Sequence, residues 1–435
     1  MRAALGSSVL AVVACLAAWT ADSPVQQLFD RLRRNVLENV ARVPRYTCVQ
    51  TVTRKQFRPQ YGFWPDSCQS LIAARARLSS PGLLVWHDRL RLDVAVGEKS
   101  EIFSWAGARQ FETGNLDDLT LSGSTGTGDF GAFLGNVFGG DAEGFRFIGY
   151  QDIPVGRFAA FEYTVPLKKS HYSFRTGTGE NGIVGYHGIF YATSATAELK
   201  RLVVEASEFP SGAICRVYDT MDYNTVKIGS SSFLLPEVSR MNVLYKGGQE
   251  TENETHYSGC HEFTGESTIR FDEPDEVHSQ AAAAQAALKA VPPKTQIRVK
   301  IDPPIHSETA AAGDPVTGVV EREVKQKGQV VVRKTDRLHG RLLRLEQFMV
   351  PDTYWLVAIR FDSIERDGVE EPMQFTPLDD GDRTAPEVQV TGRRVSQSSR
   401  KLDLPKAPPG AGIFAFTEVG NLVLDQKFHS TWETK

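Results

Sequence analysis

The residues of this chain whose types and spacing could support chemistry begin with two glycine patterns. Gly-x-Gly-x-x-Gly occurs at Gly126–Gly131 and again at Gly177–Gly182. A dinucleotide site needs such glycines between a strand and a helix of an alternating α/β chain. The runs around both copies are typical of antiparallel strands, and only the first copy opens a helix. Both are therefore interpreted as loop and helix-cap glycines, and no cofactor is predicted.

A second group combines metal-ligand side chains. His256, Cys260 and His261 fall within six residues. Successive side chains of a strand point to opposite faces, so Cys260 and His261 cannot both reach one metal without a bulge. The sequence predicts no metal site here.

Hydrolytic chemistry has little support. The chain contains no Gly-x-Ser-x-Gly nucleophile pattern, and the carboxylate pairs Asp117-Asp118 and Asp379-Asp380 stand in polar loops. Because paired acids act only at a fixed separation across a cleft, these pairs are interpreted as solvated surface. We predict no catalytic residue, and a hydrolase is the last of three functional hypotheses.

The bulk composition narrows the class of partner. The net charge is -4, and no basic stripe with interleaved aromatic residues occurs. Phosphate binding requires a basic surface, so nucleic acid is excluded as the main partner. At 435 residues the chain exceeds one ordinary core, and two or three domains are expected.

The first 22 residues have the pattern of an export signal. Arg2 precedes an apolar stretch, Leu5–Trp19, that is too short to span a membrane. Val12–Cys15 also matches a lipobox, which predicts lipidation of Cys15, while ordinary cleavage near Ala18 or Ala21 is the open alternative. We expect an exported protein, periplasmic or attached to the outer membrane, whose membrane contact is limited to a lipid anchor.

Four further cysteines then form an even set: Cys48, Cys68, Cys215 and Cys260. An even count in an exported chain favours disulfides over buried free thiols. Of the three possible connectivities we prefer Cys48–Cys68 and Cys215–Cys260.

The elements that position these residues are mainly strands. Tyr186–Ala192 and Leu199–Ala206 are rich in β-branched and aromatic residues and flank a small polar loop. Leu202, Val204 and Ala206 alternate with charged residues, which predicts a hairpin in an antiparallel sheet with one apolar face. Pro24–Val43 has apolar residues at helical spacing that must pack on that face.

Composition shifts divide the chain. We expect a half-barrel domain at 23–275, an Ala-rich linker helix at 276–293, a small β domain at 294–378, a flexible segment at 379–411 and C-terminal strands at 412–435. The predicted fold class is α+β, mainly β: an antiparallel half-barrel with inner helices, plus a small C-terminal β-barrel or sandwich.

The first domain resembles a known family in its pattern of elements. The helix Pro24–Val43, the strand Tyr46–Gln50, the hairpin at 188–202 and the strand start Phe233–Pro236 are similar to those of periplasmic lipoprotein carriers, the LolA/LolB-like and RseB-like half-barrels. The resemblance covers roughly Pro24–Asp272. The whole chain is also similar to uncharacterised exported bacterial proteins, which implies no activity.

The resemblance implies a cavity for acyl chains between the curved sheet and its helices. Its lining would be apolar: Leu32, Val36, Leu92, Phe130, Phe133, Phe138, Leu202 and Val204. The first hypothesis is thus a non-enzymatic exported protein that binds an apolar small molecule or lipid in this cavity. The second is an envelope sensor or assembly scaffold that binds a protein partner. A continuous apolar cavity favours the first, and a filled core favours the second.

Overall fold

A computed structural model describes residues 23–42, 46–59, 67–96, 101–108, 116–120, 123–176, 179–210, 212–262, 290–351, 353–378 and 408–435. The predicted signal peptide with Cys15, nearly all of the linker helix and most of the flexible segment lie outside these ranges. Within them no helix is long and apolar enough to cross a membrane.

The described chain contains four α-helices and a short 3-10 helix at Leu167–Lys169. The α-helices are Pro24–Arg42 (α1), Cys68–Arg75 (α2), Leu116–Leu119 (α3) and Ala132–Gly139 (α4). The strands up to residue 262 are Tyr46–Arg58 (β1), Leu83–Val96 (β2), Glu101–Trp105 (β3), Glu143–Ile153 (β4), Gly156–Val165 (β5), Ser173–Arg175 (β6), Asn181–Ile183 (β7), Tyr186–Ala192 (β8), Leu199–Ala206 (β9), Ile214–Ile228 (β10), Ser231–Tyr245 (β11) and Glu250–Glu262 (β12).

The later strands are shorter on average. They are Gln296–Ile301 (β13), Ile305–His306 (β14), Pro315–Val320 (β15), Val324–Gln326 (β16), Gln329–Val332 (β17), Arg337–Phe348 (β18), Tyr354–Arg366 (β19), Val369–Pro372 (β20), Phe375–Pro377 (β21), Gly412–Phe416 (β22), Val423–Leu424 (β23) and His429–Thr434 (β24).

The first domain is one antiparallel sheet in the order β4-β5-β8-β9-β10-β11-β12-β1-β2-β3. The predicted hairpin is strands β8 and β9, with the expected bounds. The open antiparallel sheet with helices α1 and α4 packed on its concave face confirms the predicted fold class. Gly188 permits the close approach of these two strands, because a Cβ there would meet the Val203 carbonyl oxygen at 1.8 Å.

Helix α1 lies against the apolar face of this sheet and against α4. Its N-terminus is capped by Ser23, whose hydroxyl accepts the Gln26 amide at 3.2 Å. Asn39 fixes the other end, since it donates to the Leu234 carbonyl at 3.0 Å and accepts from the Leu234 amide at 2.8 Å. Arg33 donates to the Phe138 carbonyl at 2.8 Å, which ties α1 to α4. Leu28, Leu32 and Val36 are buried between them.

The second domain is a smaller antiparallel sheet in the order β21-β24-β13-β15-β18-β19, with β20 and β22 pairing with successive parts of β19. Its core packs around Trp432 and Phe361, whose rings meet edge to face at 5.0 Å. The C-terminal strands are separated within this sheet: β22 pairs with β19, whereas β24 lies between β13 and β21.

The two sheets are continuous through strand β2. Its first part has β1 on one side and β18 on the other, with Asp88 opposite both Arg54 and Glu346. Arg54 donates to Asp88 through Nε at 2.9 Å, and Trp86 Nε1 donates to Glu346 at 3.1 Å. Arg344 Nε donates to Glu346 at 2.6 Å. Arg54 therefore pairs with Asp88 within the first sheet, and the hydrogen bond from Trp86 to Glu346 crosses to the second sheet.

All four predicted disulfide cysteines are oxidised, but the preferred connectivity was wrong. The bonds are Cys48–Cys260 and Cys68–Cys215. Cys48 meets Cys260 because β1 pairs with β12, beside a bulge where Thr47 faces His261 and Val49 faces Ser258. Cys68 opens helix α2, which lies on β10 and so places it against Cys215. The pairing follows neighbours in space, β1 beside β12 and α2 on β10, and not neighbours in sequence.

Candidate functional site

The eight predicted cavity residues are all buried, but in two separate cores. Leu32, Val36, Phe133, Phe138, Leu202 and Val204 belong to the core between α1, α4 and the sheet. Leu92 and Phe130 belong to a second core around β1–β3. None of the eight is more than 5% exposed. Aliphatic and aromatic side chains pack together between the helices and the sheet.

The aromatic side chains form a continuous series of ring contacts that leads out of the core. Phe190 and Phe161 are stacked with centroids 5.2 Å apart, and Phe29 of α1 lies 5.9 Å from Phe161. Phe145 lies 4.8 Å from Phe29, and Phe147 lies 5.3 Å from Phe161. The ring contacts therefore extend from the buried centre of the sheet to strand β4.

Strand β4 is an edge, since within the described chain only β5 pairs with it. A bulge between Phe147 and Gly149 shifts its register, so that Phe147 faces Phe161 and Tyr150 faces Ala159. Both partners belong to the inner core, which places Phe147 and Tyr150 on the same concave face. Their rings are 5.5 Å apart, and Tyr150 is 50% exposed. We call Phe29, Phe145, Phe147 and Tyr150 the aromatic edge strip.

A second feature of the interior is polar. The segment 123–130 covers the concave face of β1, β2, β10, β11 and β12, and a cavity of about 20 Å³ lies beneath it. Oxygen-bearing side chains dominate one part of its wall: Gln50, Asp129, Asp219, Ser239, Asn253 and Thr255. We call this space the polar cavity. Its volume corresponds to about one water molecule.

The carboxyl groups at the polar cavity are buried and are hydrogen-bonded to uncharged donors. Asp129 accepts from the Tyr257 hydroxyl, and its carbonyl accepts from the Tyr223 hydroxyl at 3.0 Å. Burial raises the pKa of Asp129, while hydrogen bonds from Ser239 and Tyr257 oppose this. Burial raises the pKa of Asp219 well above its ordinary value, and the charge of Asp129 raises it further.

Glu101 anchors the segment that covers the polar cavity. Its carboxylate accepts the backbone amides of Gly128 at 2.8 Å and Phe130 at 3.1 Å. Burial first, and then the charge of Asp129, raise the pKa of Glu101 to about 7. The first glycine pattern, Gly126–Gly131, is thus a loop leading into α4 and held by this carboxylate.

Two buried side-chain oxygens at the polar cavity have no hydrogen-bond partner among the residues that the structure describes. They are Gln50 Oε1 and Asp219 Oδ1, on side chains that are 4% and 5% exposed. A buried acceptor without a donor costs about 1–3 kcal/mol. These two oxygens therefore leave the hydrogen bonding of the cavity wall incomplete.

The candidate metal residues do not converge. His256 bonds to Glu254 at 2.8 Å, His261 to the Gly259 carbonyl at 2.9 Å, and Cys260 is in a disulfide. Across the described ranges, no group of three histidine, cysteine or acidic side chains is placed to hold a metal. The side chains of Asp117 and Asp118 and the whole of Asp379-Asp380 lie outside the part that the structure describes.

Sequence reasoning missed the polar cavity. One signal was available at Asp219, which alternates with Val217 and Met221 and so occupies the apolar face of its strand. Asp129 carried no such signal, because its neighbours indicate a loop. The aromatic edge strip was also missed, since a bulge determines the face on which Tyr150 lies.

No family model matches the chain, and no curated protein matches it. The chain is similar to the solved structure of a LolA superfamily protein from Nitrosomonas europaea, at 13% identity and a TM-score of 0.22, covering 58% of this chain and 96% of that one. It is also similar to a DUF1329 family protein from Desulfovibrio piger, at 11% identity and a TM-score of 0.27, covering 58% of this chain and 98% of that one. The first of these belongs to the superfamily named in the sequence resemblance.

Proposed function

We propose that this protein is a non-enzymatic, exported envelope protein that binds an apolar group at the aromatic edge strip. One observation carries the proposal: Phe29, Phe145, Phe147 and Tyr150 extend the buried aromatic core onto an open sheet edge. An exposed apolar patch continuous with the core is typical of a binding surface. The two disulfides support export, because such bonds persist in oxidising compartments.

The two occupants expected from the sequence make different demands on this strip. An apolar segment of an envelope protein can cover Phe147 and Tyr150 without any rearrangement. An acyl chain that enters the half-barrel needs α1 to move away from the sheet, because the predicted lining is fully packed. Such a movement would break the contact between Phe29 of α1 and Phe145 of the edge strand.

Native purification identifies the occupant, and one pair of variants tests whether it binds at the aromatic edge strip. We expect protein exported by its native host to carry either co-purifying acyl lipid, detected by mass spectrometry, or a partner captured by a photo-crosslinker at position 150. Tyr150→Ser should weaken binding of the fluorescent fatty acid cis-parinaric acid, or of the captured partner, about fivefold, from the loss of roughly 1 kcal/mol of ring contact.

The matched control is Tyr218→Ser. Tyr218 is 36% exposed on the convex face of the same sheet, beside Asp219, whose side chain faces inward. This control should bind like the parent protein. If neither lipid nor partner is recovered, or if Tyr218→Ser and Tyr150→Ser weaken binding equally, the aromatic edge strip is not the binding site.

A further inference from the structure

The polar cavity is closed by residues 123–130, which we call the covering segment. This segment contains no helix or strand, and side chains of the sheet hold it at both ends. Near its start, the Ser124 hydroxyl donates to Thr251 at 2.7 Å, and the Ser124 carbonyl accepts from Asn253 at 2.8 Å. Near its end, two backbone amides donate to Glu101. Whether the segment stays closed therefore depends on the groups beneath it.

Three carboxyl groups meet at the end of the covering segment. Asp129 belongs to the segment, Asp219 to β10 and Glu101 to β3. Asp129 and Asp219 line the polar cavity and are only 6% and 5% exposed. The charge of Asp129 acts on both of the other carboxyl groups. Burial and like charge both disfavour ionisation, so the closed arrangement favours the protonated acids.

Among the residues that the structure describes, no cation offsets these acids. Arg54 touches the start of the segment beside Gly123, but it is bonded to Asp88. The other titratable groups that act on the three acids are tyrosines, and burial raises the pKa of each: Tyr46, Tyr163, Tyr172, Tyr223 and Tyr257. Ionisation of the acids would thus leave uncompensated negative charge beneath the segment.

Opening of the covering segment releases protons. In the closed arrangement the pKa of Glu101 is about 7, whereas a carboxyl of this type in water has a pKa of roughly 4.3. Between these two values, opening hydrates Glu101 and frees its proton, so opening becomes more favourable as pH rises. The pKa values of Asp129 and Asp219 are also raised, and their effect has the same direction.

We propose that the covering segment is a proton-controlled cover, closed over the polar cavity while Glu101, Asp129 and Asp219 are protonated and opening as they ionise. The hydrogen bonds that hold it join uncharged donors to these acids, so the closed form needs no bound cation. Opening exposes the apolar part of the cavity wall, which is formed by Val52, Leu90, Leu92, Leu116 and Met241.

Hydrogen exchange of the full chain, measured by mass spectrometry, tests this proposal. After correction for the intrinsic pH dependence of exchange, the protection of amides 123–131 should fall about tenfold per pH unit between pH 5 and pH 7 for each proton released on opening. Amides of the hairpin at 186–206 should remain more protected at every pH. This comparison separates local opening from unfolding of the domain.

Two variants and a matched control assign the effect to the acids. Glu101→Gln keeps an acceptor oxygen but cannot ionise, so it should reduce the fall in protection by about tenfold per pH unit. Asp219→Asn keeps the side-chain shape, should also reduce the fall, and provides a second test should Glu101→Gln fail to fold. Glu237→Gln removes an exposed charge from β11 and should show the same fall as the parent protein.

The proposal is overturned if the corrected protection of amides 123–131 in the parent protein is the same at pH 5 and pH 7. It is equally overturned if the folded variants lose protection as steeply as the parent, or if the 186–206 amides exchange as fast as the covering segment. Each of these outcomes would leave the aromatic edge strip untouched, because that strip lies on α1 and β4.

Discussion

At the scale of single residues, Glu101 links the covering segment to proton concentration. The pKa of Glu101 is about 7 in the folded chain, raised mainly by burial and then by Asp129, against roughly 4.3 in an unfolded chain. Between these values the folded protein holds a proton that the unfolded chain has released. The contribution of Glu101 to stability is therefore greatest below the unfolded pKa and declines as pH rises towards 7.

The prediction is a change in the pH dependence of unfolding. Between pH 5 and pH 7, Glu101→Gln should reduce the pH dependence of the unfolding free energy by the equivalent of about one proton. The measurement is denaturant unfolding at a series of pH values. Glu237→Gln, on the exposed side of β11, should keep the parent slope. An unchanged slope in Glu101→Gln would show that the carboxyl does not titrate with folding.

Residue patterns indicated some of this arrangement and not the rest. The alternation of Leu202, Val204 and Ala206 predicted their burial correctly, because period-two patterns report a local property. The same rule applied to Val217, Asp219 and Met221 would place an acid inside the sheet. What fills the space beside Asp219 depends on Asp129 and Gln50, which are far away in sequence, so no local pattern could show it.

At the scale of elements, the disulfides join parts that are distant along the chain. Cys48–Cys260 closes a separation of 212 residues and holds β1 to β12, whereas Cys68–Cys215 closes 147 residues and holds α2 to β10. Pairing Cys48 with Cys68 by the short loop between them is wrong because sequence spacing does not report strand order. Helices and strands followed from spacing, but the pairing of β1 with β12 joins the first strands of the chain to the last strand of this sheet, and no local spacing reports such a contact.

The expected result is a specific pair of cross-linked peptides and a loss of stability. Proteolysis without reduction should release peptides joined at Cys48–Cys260 and Cys68–Cys215, identified by mass spectrometry. The double variant Cys48→Ser/Cys260→Ser should unfold with a free energy lower by about 2–5 kcal/mol. Ser258→Ala, an exposed neighbour on β12, should be close to neutral. Recovery of a Cys48–Cys68 peptide would contradict the pairing.

At the scale of the whole molecule, strand β2 belongs to both sheets. Arg54, Asp88 and Glu346 occupy one row across β1, β2 and β18, and each is buried. Truncating one member of such a row leaves its partner charged and buried without compensation. The two domains should therefore unfold together, and the row should be what couples them.

Scanning calorimetry tests this coupling. The parent protein should give one unfolding transition. Glu346→Ala, which removes the acceptor of Trp86 and leaves Arg344 buried without this partner, should lower stability by about 3–5 kcal/mol and separate the transition into two. Asp152→Ala, an exposed acid on edge strand β4, should leave the single transition in place. Two transitions in the parent protein would mean that the domains are independent despite the shared strand.

The shared strand also decides where this polypeptide can be cut for laboratory work. A fragment that ends at residue 262 would lose the hydrogen bonds between 346–348 and 86–88 and would leave Trp86, now 4% exposed, facing solvent beside an open backbone ladder. Such a fragment would aggregate through its exposed strand edge. Gene truncations guided by composition alone would thus yield insoluble halves, and production of either half calls for co-expression of the other.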